Sequence, residues 1–468
     1  MRITAERDES LQLSEYLRSL NGKKCVVVGA GVSNLPLIGL LLDAGNRVAV
    51  CDKRSREDLG GVAAELEARG VKWKLGEDYL KDLDADVVFR TPGLHPRFLA
   101  EAAALGAEIT SEMELFFRFC PCRTVAITGS DGKTTTSTVV SELLKAQGFT
   151  VHLGGNIGRP LLAEVDTMRA EDWAVLELSS FQLHSMTCSP DVALVTNISP
   201  NHLDVHPDMA DYIAAKTMVF RNQRADARLV LNADDPHTAE LAALAPSRVS
   251  LFSRRHPVEN GACAQNGVLY LMRDGRAERL MEASEIKIPG LHNVENYLAA
   301  FAALDGLVAP DAMRQVARSF GGVEHRIEFL RELRGVRYYN DSIASSPTRT
   351  IAGLRSFAEK PILIAGGYDK HIPFDELGVE IVQRVKALCL NGLTAEKIRE
   401  AVVNAPGYDP EKLPVYMDGS FDASVSRAVS IAREGDVVLM SPACAAFDQF
   451  KNFAVRGDHF REIINNLE

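Results

Sequence analysis

The apolar positions of this chain fall in short runs, each closed by a glycine, an acid or a polar cluster and followed by a stretch at helical spacing. Lys24-Cys-Val-Val-Val28, Arg47-Val-Ala-Val-Cys-Asp52 and Asp86-Val-Val-Phe89 read as the first strands, with a helix over Leu35–Ala44 between the first two. Glu112-Met-Glu-Leu-Phe-Phe117 reads as a helix leading into the strand Thr124-Val-Ala-Ile-Thr128. Further runs at Trp173-Ala-Val-Leu, Ala193–Ile198 and Arg228-Leu-Val-Leu-Asn232 repeat the pattern, and Tyr212–Phe220 is helical. Gly290-Leu-His-Asn-Val-Glu-Asn296 opens an alanine-rich helix. After Gly322 come Val336–Asn340, Pro361–Ala365, Ala387–Leu390 and Asp436–Met440, again with helical segments between them. Strands alternating with helices predict an α/β protein with largely parallel sheets. The polar clusters that follow the strands are where ligands bind in such sheets.

Composition narrows this picture. A length of 468 residues suggests about three domains, and 46% hydrophobic residues is ample for their cores. The net charge, 52 − 63 = −11, argues against a nucleic-acid surface, though a locally basic site can still hold a nucleotide. The first ten residues are charged and polar, without a signal-peptide core, and no run of eighteen apolar residues predicts a membrane span. The eight cysteines are scattered, with Cys120-Pro-Cys122 the only close pair, as expected for reduced cytoplasmic thiols.

The chemistry begins at Thr128-Gly-Ser-Asp-Gly-Lys-Thr134, where strand, glycine turn and helix start make a phosphate cradle. Gly129, Ser130, Asp131 and Gly132 bring backbone N–H groups close to phosphate oxygens, and the helix start adds partial positive charge. Lys133 supplies a cation, and the Thr134 hydroxyl, followed by Thr135, suits Mg2+. Ile127 stands where a full P-loop has its first glycine, so the motif is shortened. Gly29-Ala-Gly31-Val-Ser-Asn34, with Asp52 about twenty residues on, imitates a dinucleotide fingerprint, but Asn34 replaces the third glycine. A dinucleotide, another nucleotide and a plain turn all fit it. Glu177 is a hard oxygen ligand or a cap for the next helix, His202 a loop histidine, and Lys216 an ordinary helix lysine, if each is taken alone.

Their order is more specific. Thr-Gly-x-x-Gly-Lys-Thr, Gly155-Asn-Ile-Gly158, Glu177-Leu-Ser-Ser-Phe-Gln-Leu183, Asn201-His-Leu-Asp204, Lys216, His292-Asn-x-x-Asn296, Glu324-His-Arg326, Asn340-Asp-Ser342 and Ser441-Pro-Ala-Cys444 together resemble the Mur ligase family over essentially the whole chain. Residues 177–183 and 441–457 resemble the branch that adds D-glutamate to UDP-N-acetylmuramoyl-L-alanine. The resemblance implies three domains: a Rossmann-like UDP-substrate domain (1–112), a central P-loop-type ATPase domain with a mostly parallel sheet (113–322), and a Rossmann-like amino-acid domain (323–468). It implies an ATP-dependent, ADP-forming amide ligase of cytoplasmic peptidoglycan precursor synthesis, working through an acyl phosphate, with two Mg2+ ions. Thr134 and Glu177 would serve one metal, His202 and a carbamylated Lys216 the other. ATP contacts carry over to residues 129–135, Asn293, Asn296, Arg326 and Asp341. Substrate contacts carry over to Val32, Ser33, Asp52, Arg54, Asn156, Ser179, Ser345, Lys370 and Phe453. A monomer is expected, with no nucleic-acid or membrane partner.

Two positions depart from the family pattern. Ile343 replaces a lysine and Ala446 a serine, removing one cation and one hydroxyl from the expected D-glutamate pocket, where Lys370, Ser345, Ser346 or Arg349 could compensate. Mur-type ligases for another amino acid and folylpolyglutamate-synthetase-like ligases are the alternatives, the latter disfavoured by the first domain.

Overall fold

The computed structural model describes residues 12–200, 205–369 and 372–468. The chain divides into two compact units, Met1–Glu285 with Val294–Ala317, and Ile286–Asn293 with Arg318–Glu468.

The first unit holds two sheets. Strands β1 (Cys25–Val28), β2 (Val48–Asp52), β3 (Lys72–Leu75), β4 (Val87–Arg90) and β5 (Glu108–Thr110) form a parallel sheet in the order β3-β2-β1-β4-β5. All four residues of β1 and of β4 are buried, which is why β1 and residues 87–89 of β4 read as uninterrupted apolar runs rather than alternating ones. The second sheet comprises β6 (Arg123–Thr128), β7 (Val151–Gly155), β8 (Trp173–Glu177), β9 (Val192–Val195), β10 (Arg228–Asn232), β11 (Arg248–Ser253), β12 (Gly261–Gln265), β13 (Val268–Arg273) and β14 (Arg276–Glu282). Its order is β14-β13-β12-β11-β10-β9-β6-β8-β7, with β12, β13 and β14 joined antiparallel.

That antiparallel edge has a clear local cause. Asn266-Gly267 and Asp274-Gly275 both sit at positive φ, as two-residue hairpin turns require. Two expected elements are shifted. The strand expected over Ala193–Ile198 ends at Val195, because the backbone beyond it turns to serve the phosphate loop: the Ser130 N–H donates to the Asn197 carbonyl at 2.9 Å. The helix expected from Tyr212 runs over Met209–Thr217, started by the Asp208 side chain, which accepts from the Asp211 N–H.

One continuous core joins both sheets of this unit. Leu17, Val27, Leu37 and Phe89 belong to the same buried cluster as Phe116, Leu162, Leu176 and Val195. The helix Glu112–Phe119 lies within it and is buried on nearly every side. The seam also carries polar groups. Arg90, at the end of β4, is almost fully buried and donates to the carbonyls of Thr91, Pro92, Leu94 and Phe181 and to the Ser185 hydroxyl. Burial pulls its guanidinium down to about 10. Glu114 accepts from the backbone N–H and the hydroxyl of Thr187.

The second unit is built on β15 (Glu328–Leu333), β16 (Val336–Asn340), β17 (Ile362–Gly366), β18 (Ala387–Asn391), β19 (Val415–Met417) and β20 (Val437–Met440), in the order β15-β16-β20-β17-β18-β19. Only β15 pairs antiparallel. All eight cysteines are buried and unbridged. Among the described residues no helix is long and apolar enough to cross a membrane.

Arg90 provides the test of the seam. Arg90→Met keeps the apolar bulk and strands several buried carbonyls, so urea unfolding should show a loss on the order of 3 kcal/mol. A change within about 0.5 kcal/mol, the range of ordinary surface substitutions, would contradict a structural role for this buried cation.

Candidate active site

The phosphate loop is a backbone structure held by its neighbours. Gly129 has φ 145° and a Cβ there would overlap the Thr196 hydroxyl; Gly132 has φ 77° and a Cβ there would overlap the Asn296 amide. Both are therefore positions for glycine alone. The Asp131 N–H donates to Asn197 Oδ1 at 2.9 Å, and the Thr196 hydroxyl donates to the Asp131 carbonyl at 2.6 Å. Ser130 Oγ donates to the Ser199 carbonyl, accepts from the Ser199 N–H and lies 3.0 Å from the Tyr212 hydroxyl. Lys133 opens the helix Lys133–Ala146 and folds back over the loop, with Nζ 3.0 Å from the carbonyls of both Gly129 and Ser130. Thr134 and Thr135 follow in the first turn, and Asn296 Oδ1 accepts from the Thr136 hydroxyl at 3.2 Å.

Register brings Glu177 beside this loop. Strands β6 and β8 pair with Ile127 opposite Glu177, so the carboxylate stands at the strand end next to the phosphate turn. Glu177 is 2% exposed; its Oε1 accepts from Asn156 Nδ2 at 2.8 Å and its Oε2 has no hydrogen-bond partner among the described residues. The next helix, Ser180–Leu183, is capped by Ser179 with Gln182, so Glu177 is free of the capping role that its position allowed. The Gly155-Asn156 turn closes on the same strand: the Asn156 N–H donates to the Glu177 carbonyl at 2.7 Å, and a Cβ on Gly155 would overlap that carbonyl.

Lys216 comes from the helix Met209–Thr217 and is 1% exposed. Its Nζ donates to the Gly129 carbonyl at 2.7 Å and lies 4.5 Å from the centre of the Tyr212 ring. Burial, and then the neighbouring Lys133 charge, push its amine well below the ordinary lysine range. Lys133, Lys216, Glu177, Asn156 and the loop thus converge at the C-terminal ends of β6 and β8. His202 lies outside the described residues.

An unpartnered, buried carboxylate oxygen beside a phosphate cradle is a site that a hard divalent cation fits, since oxygen is its preferred ligand and the ion would offset the buried charge. Glu177 Oε2 is an oxygen open to it, and Thr134 stands in the first helical turn after the loop. Lys216, as the amine present here, is a donor and not a ligand.

In the first sheet, Asp52 ends β2 and binds back to the glycine turn. Burial would raise its carboxyl, but the Arg54 guanidinium and N–H and the Ala30 N–H hold it down to about 2. The third-glycine position is explained as well: the Asn34 side chain donates to the carbonyls of Val28 and Gly29, locking the turn itself. Val32 is exposed and Ser33 half-buried at the tip of this turn.

In the second unit, Asn293 Nδ2 donates to the Pro289 carbonyl at 2.5 Å. Arg326 stands beside Ile327, whose N–H donates to Asp341 Oδ1 at 3.2 Å. Asp341 is buried, accepts from the Ser441 hydroxyl at 2.6 Å, and is pushed up to about 7 by that burial. Ser345 is half-buried and Phe453 partly exposed, its carbonyl accepting from the Ser342 hydroxyl. Ala446 is buried, and Arg349 Nη1 donates to the Ile343 carbonyl at 3.2 Å. Lys370 lies outside the described residues. Tyr212, Thr196 and Asn197, which hold the phosphate loop, carry no pattern in the sequence that marks them.

The sequence models of known families match most of this framework. The Mur ligase middle domain matches residues 127–304, and the "Mur ligase, glutamate ligase domain" matches residues 325–444. A Clostridium novyi protein named UDP-N-acetylmuramoylalanine--D-glutamate ligase is 49% identical over 97% of this chain and 99% of its own length. A protein of the same name from Acetivibrio thermocellus is 49% identical over 98% and 99%. Among solved structures, a UDP-N-acetylmuramate-alanine ligase from Thermotoga maritima aligns over 95% of this chain and 99% of its own, with a TM-score of 0.54 at 18% identity, a likeness of fold. Identity of this extent with full-length relatives, on a chain whose phosphate loop, Glu177 and Lys216 meet at one strand edge, places it: the chain belongs to the Mur ligase family.

Proposed function

We propose that this protein is an ATP-dependent, ADP-forming ligase that joins D-glutamate to UDP-N-acetylmuramoyl-L-alanine in peptidoglycan precursor synthesis. The reading of the substrates rests on the names of relatives that match end to end. The observation that carries the chemistry is the buried, unpartnered Glu177 oxygen beside the phosphate loop and Lys216. Amide formation needs an activated carboxylate. The L-alanyl carboxylate attacks the γ-phosphorus, ADP leaves, and the acyl phosphate is attacked by the D-glutamate amine. A tetrahedral intermediate then expels phosphate, carrying one oxygen of the original carboxylate.

The chain's residues have these parts in the proposal. The N–H groups of residues 129–135 and the Lys133 ammonium bind the ATP phosphates and meet the charge that develops in transfer. Thr134 and Glu177 would hold one Mg2+, and His202 with Lys216 a second. Bound there, Mg2+ supplies charge neutralisation for the phosphates and the carboxylate. Asn293, Asn296, Arg326 and Asp341 contact the nucleotide. Val32, Ser33, Asp52, Arg54, Asn156 and Ser179 bind the UDP substrate, and Ser345, Lys370 and Phe453 the amino acid. Arg349, 3.2 Å from the Ile343 carbonyl, supplies the cation that Ile343 does not. Residues 1–112, 113–322 and 323–468 act as the UDP-substrate, ATPase and amino-acid domains of a cytoplasmic monomer.

Lys216 is suited to carbamylation because burial and the neighbouring Lys133 charge press its amine toward the neutral form that adds CO2. A neutral amine adds CO2 with loss of one proton, exchanging a buried donor for two hard oxygens.

Phosphate release with ATP, UDP-N-acetylmuramoyl-L-alanine and single amino acids tests the reading. D-Glutamate should support turnover and L-lysine, diaminopimelate and L-alanine should not; the reverse pattern would assign another branch. In the same assay Lys133→Ala should lose roughly 1.5–3 kcal/mol of nucleotide binding, about ten- to a hundred-fold, with a larger loss in turnover. Near-normal rates would remove Lys133 from the phosphate site. Lys216→Ala should be nearly inactive and partly restored by short carboxylic acids. An unmodified lysine in active, Mg2+-loaded enzyme, weighed without acid treatment, would contradict carbamylation.

A further inference from the structure

Asp211 sits in the first turn of the helix that carries Lys216, and three imidazoles face its carboxylate. His206 Nδ1 lies 2.6 Å from Oδ2, and His184 Nε2 lies 3.1 and 3.2 Å from the two oxygens. His95 Nε2 is 3.6 Å from Oδ2 and has no hydrogen-bond partner among the described residues. The rings also pack on one another. His95 meets His184 edge-on at 4.2 Å, His184 stacks on His206 at 5.7 Å, and Phe181 stacks on His206 at 5.3 Å. Ser180 Oγ lies 2.9 Å from His206 Nε2. His95 comes from the loop after β4 in the first sheet, whereas His184, His206 and Asp211 belong to the region around the second.

We propose that Asp211, with His95, His184 and His206, forms a positioning hub that fixes the helix Met209–Thr217 and thereby holds Lys216 at the phosphate loop. The proposal rests on the ligase reading given above. The next residue along, Tyr212, places its hydroxyl 3.0 Å from Ser130 Oγ and its ring edge-on to His206 at 5.2 Å. Lys216, one turn further on the same face, lies over the Tyr212 ring and binds Gly129. A helix of nine residues has no length to absorb a shift at its first turn, so displacing Asp211 displaces Lys216. Burial opposes ionisation of Asp211, yet the bonds from His206 and His184 hold its carboxyl below the usual range, which keeps it a full acceptor for several N–H groups.

The same atoms pass a distance test for a transition metal. The ligand atoms of His95, His184 and Asp211 lie within 4.8 Å of one another, and a tetrahedral site with bonds of about 2.0 Å needs roughly 3.3 Å between ligands. The proton positions decide against it. His95 Nδ1 accepts the Arg97 N–H at 3.2 Å, so the proton of the neutral ring is on Nε2, the atom a metal would need. Three imidazoles presenting N–H groups to one carboxylate need no ion.

Amide side chains separate these readings, because a glutamine amide nitrogen replaces Nε2 and an asparagine amide nitrogen replaces Nδ1. Full-length wild type is compared with His95→Gln, His184→Gln, His206→Asn, the leucine variant at each position, and Asp211→Asn. Steady-state constants are normalised to folded protein and metal content is measured by mass spectrometry. The leucine variants and Asp211→Asn should lose about ten-fold or more in kcat with KM for ATP changed less than about two-fold. The amide variants should keep most of the turnover, and His95→Leu combined with Asp211→Asn should be no slower than Asp211→Asn alone. Lower thermal stability with unchanged kcat would leave only a structural role and overturn the hub. Stoichiometric zinc in wild type, with glutamine no better than leucine, would overturn it in favour of a metal site. Wild type active with D-glutamate but indifferent to every substitution rejects the hub alone, whereas wild type inactive with every amino acid rejects the ligase reading and the hub with it.

Discussion

The first unit is organised around two ionisable side chains buried with few partners beside the phosphate loop, at the ends of β6 and β8. Lys216 is almost wholly removed from water next to a second lysine, and its Nζ donates to a backbone carbonyl of the phosphate loop. Glu177 is buried with one oxygen bonded and the other bare. An isolated charge in such surroundings costs several kcal/mol, a cost that a ligand supplying the missing partner offsets. In the proposed reaction those partners are phosphate oxygens and Mg2+, and the arrangement is ready for them before they arrive.

Rigidity around that centre comes from backbone, not from bulk. Gly129, Gly132 and Gly155 stand where a side chain would strike Thr196, Asn296 or the Glu177 carbonyl, so loop, helix and neighbouring strand approach more closely than other residues permit. Ser130 and Asp131 are fixed by residues that leave β9 early to reach them. The seam with the first sheet extends this framework: Arg90 and Glu114 close it through buried hydrogen bonds, and the histidines around Asp211 connect the β4 loop to the helix carrying Lys216.

Much of this was legible in the sequence where function and local structure coincide. The phosphate loop is contiguous, and its strand and helix have different hydrophobic periods, so Gly129–Lys133 could be placed on sight. Strands β1, β6 and β8 were equally plain because both their faces are buried, whereas the partly exposed β3, β5 and β7 carried no such run. The hairpins β12–β14 carried the signals Asn266-Gly267 and Asp274-Gly275, which the strand-and-helix alternation obscured. Asn34 reads as a broken fingerprint until its side chain is seen bonding Val28 and Gly29. The surroundings of Lys216 and the gathering of His95, His184 and His206 about Asp211 depend on residues far apart in the chain, for which no local pattern exists. The burial that sets the Lys216 amine is likewise a property of the fold and not of its neighbours in sequence.

The central claim is that this buried centre activates a carboxylate by phosphoryl transfer. Labelling the L-alanyl carboxylate of UDP-N-acetylmuramoyl-L-alanine with oxygen-18 and weighing the phosphate released with ATP and D-glutamate tests it most directly. The account predicts one labelled oxygen in that phosphate, because the oxygen that attacks phosphorus leaves with it when the amine displaces it from carbon. Product formed with unlabelled phosphate would contradict it.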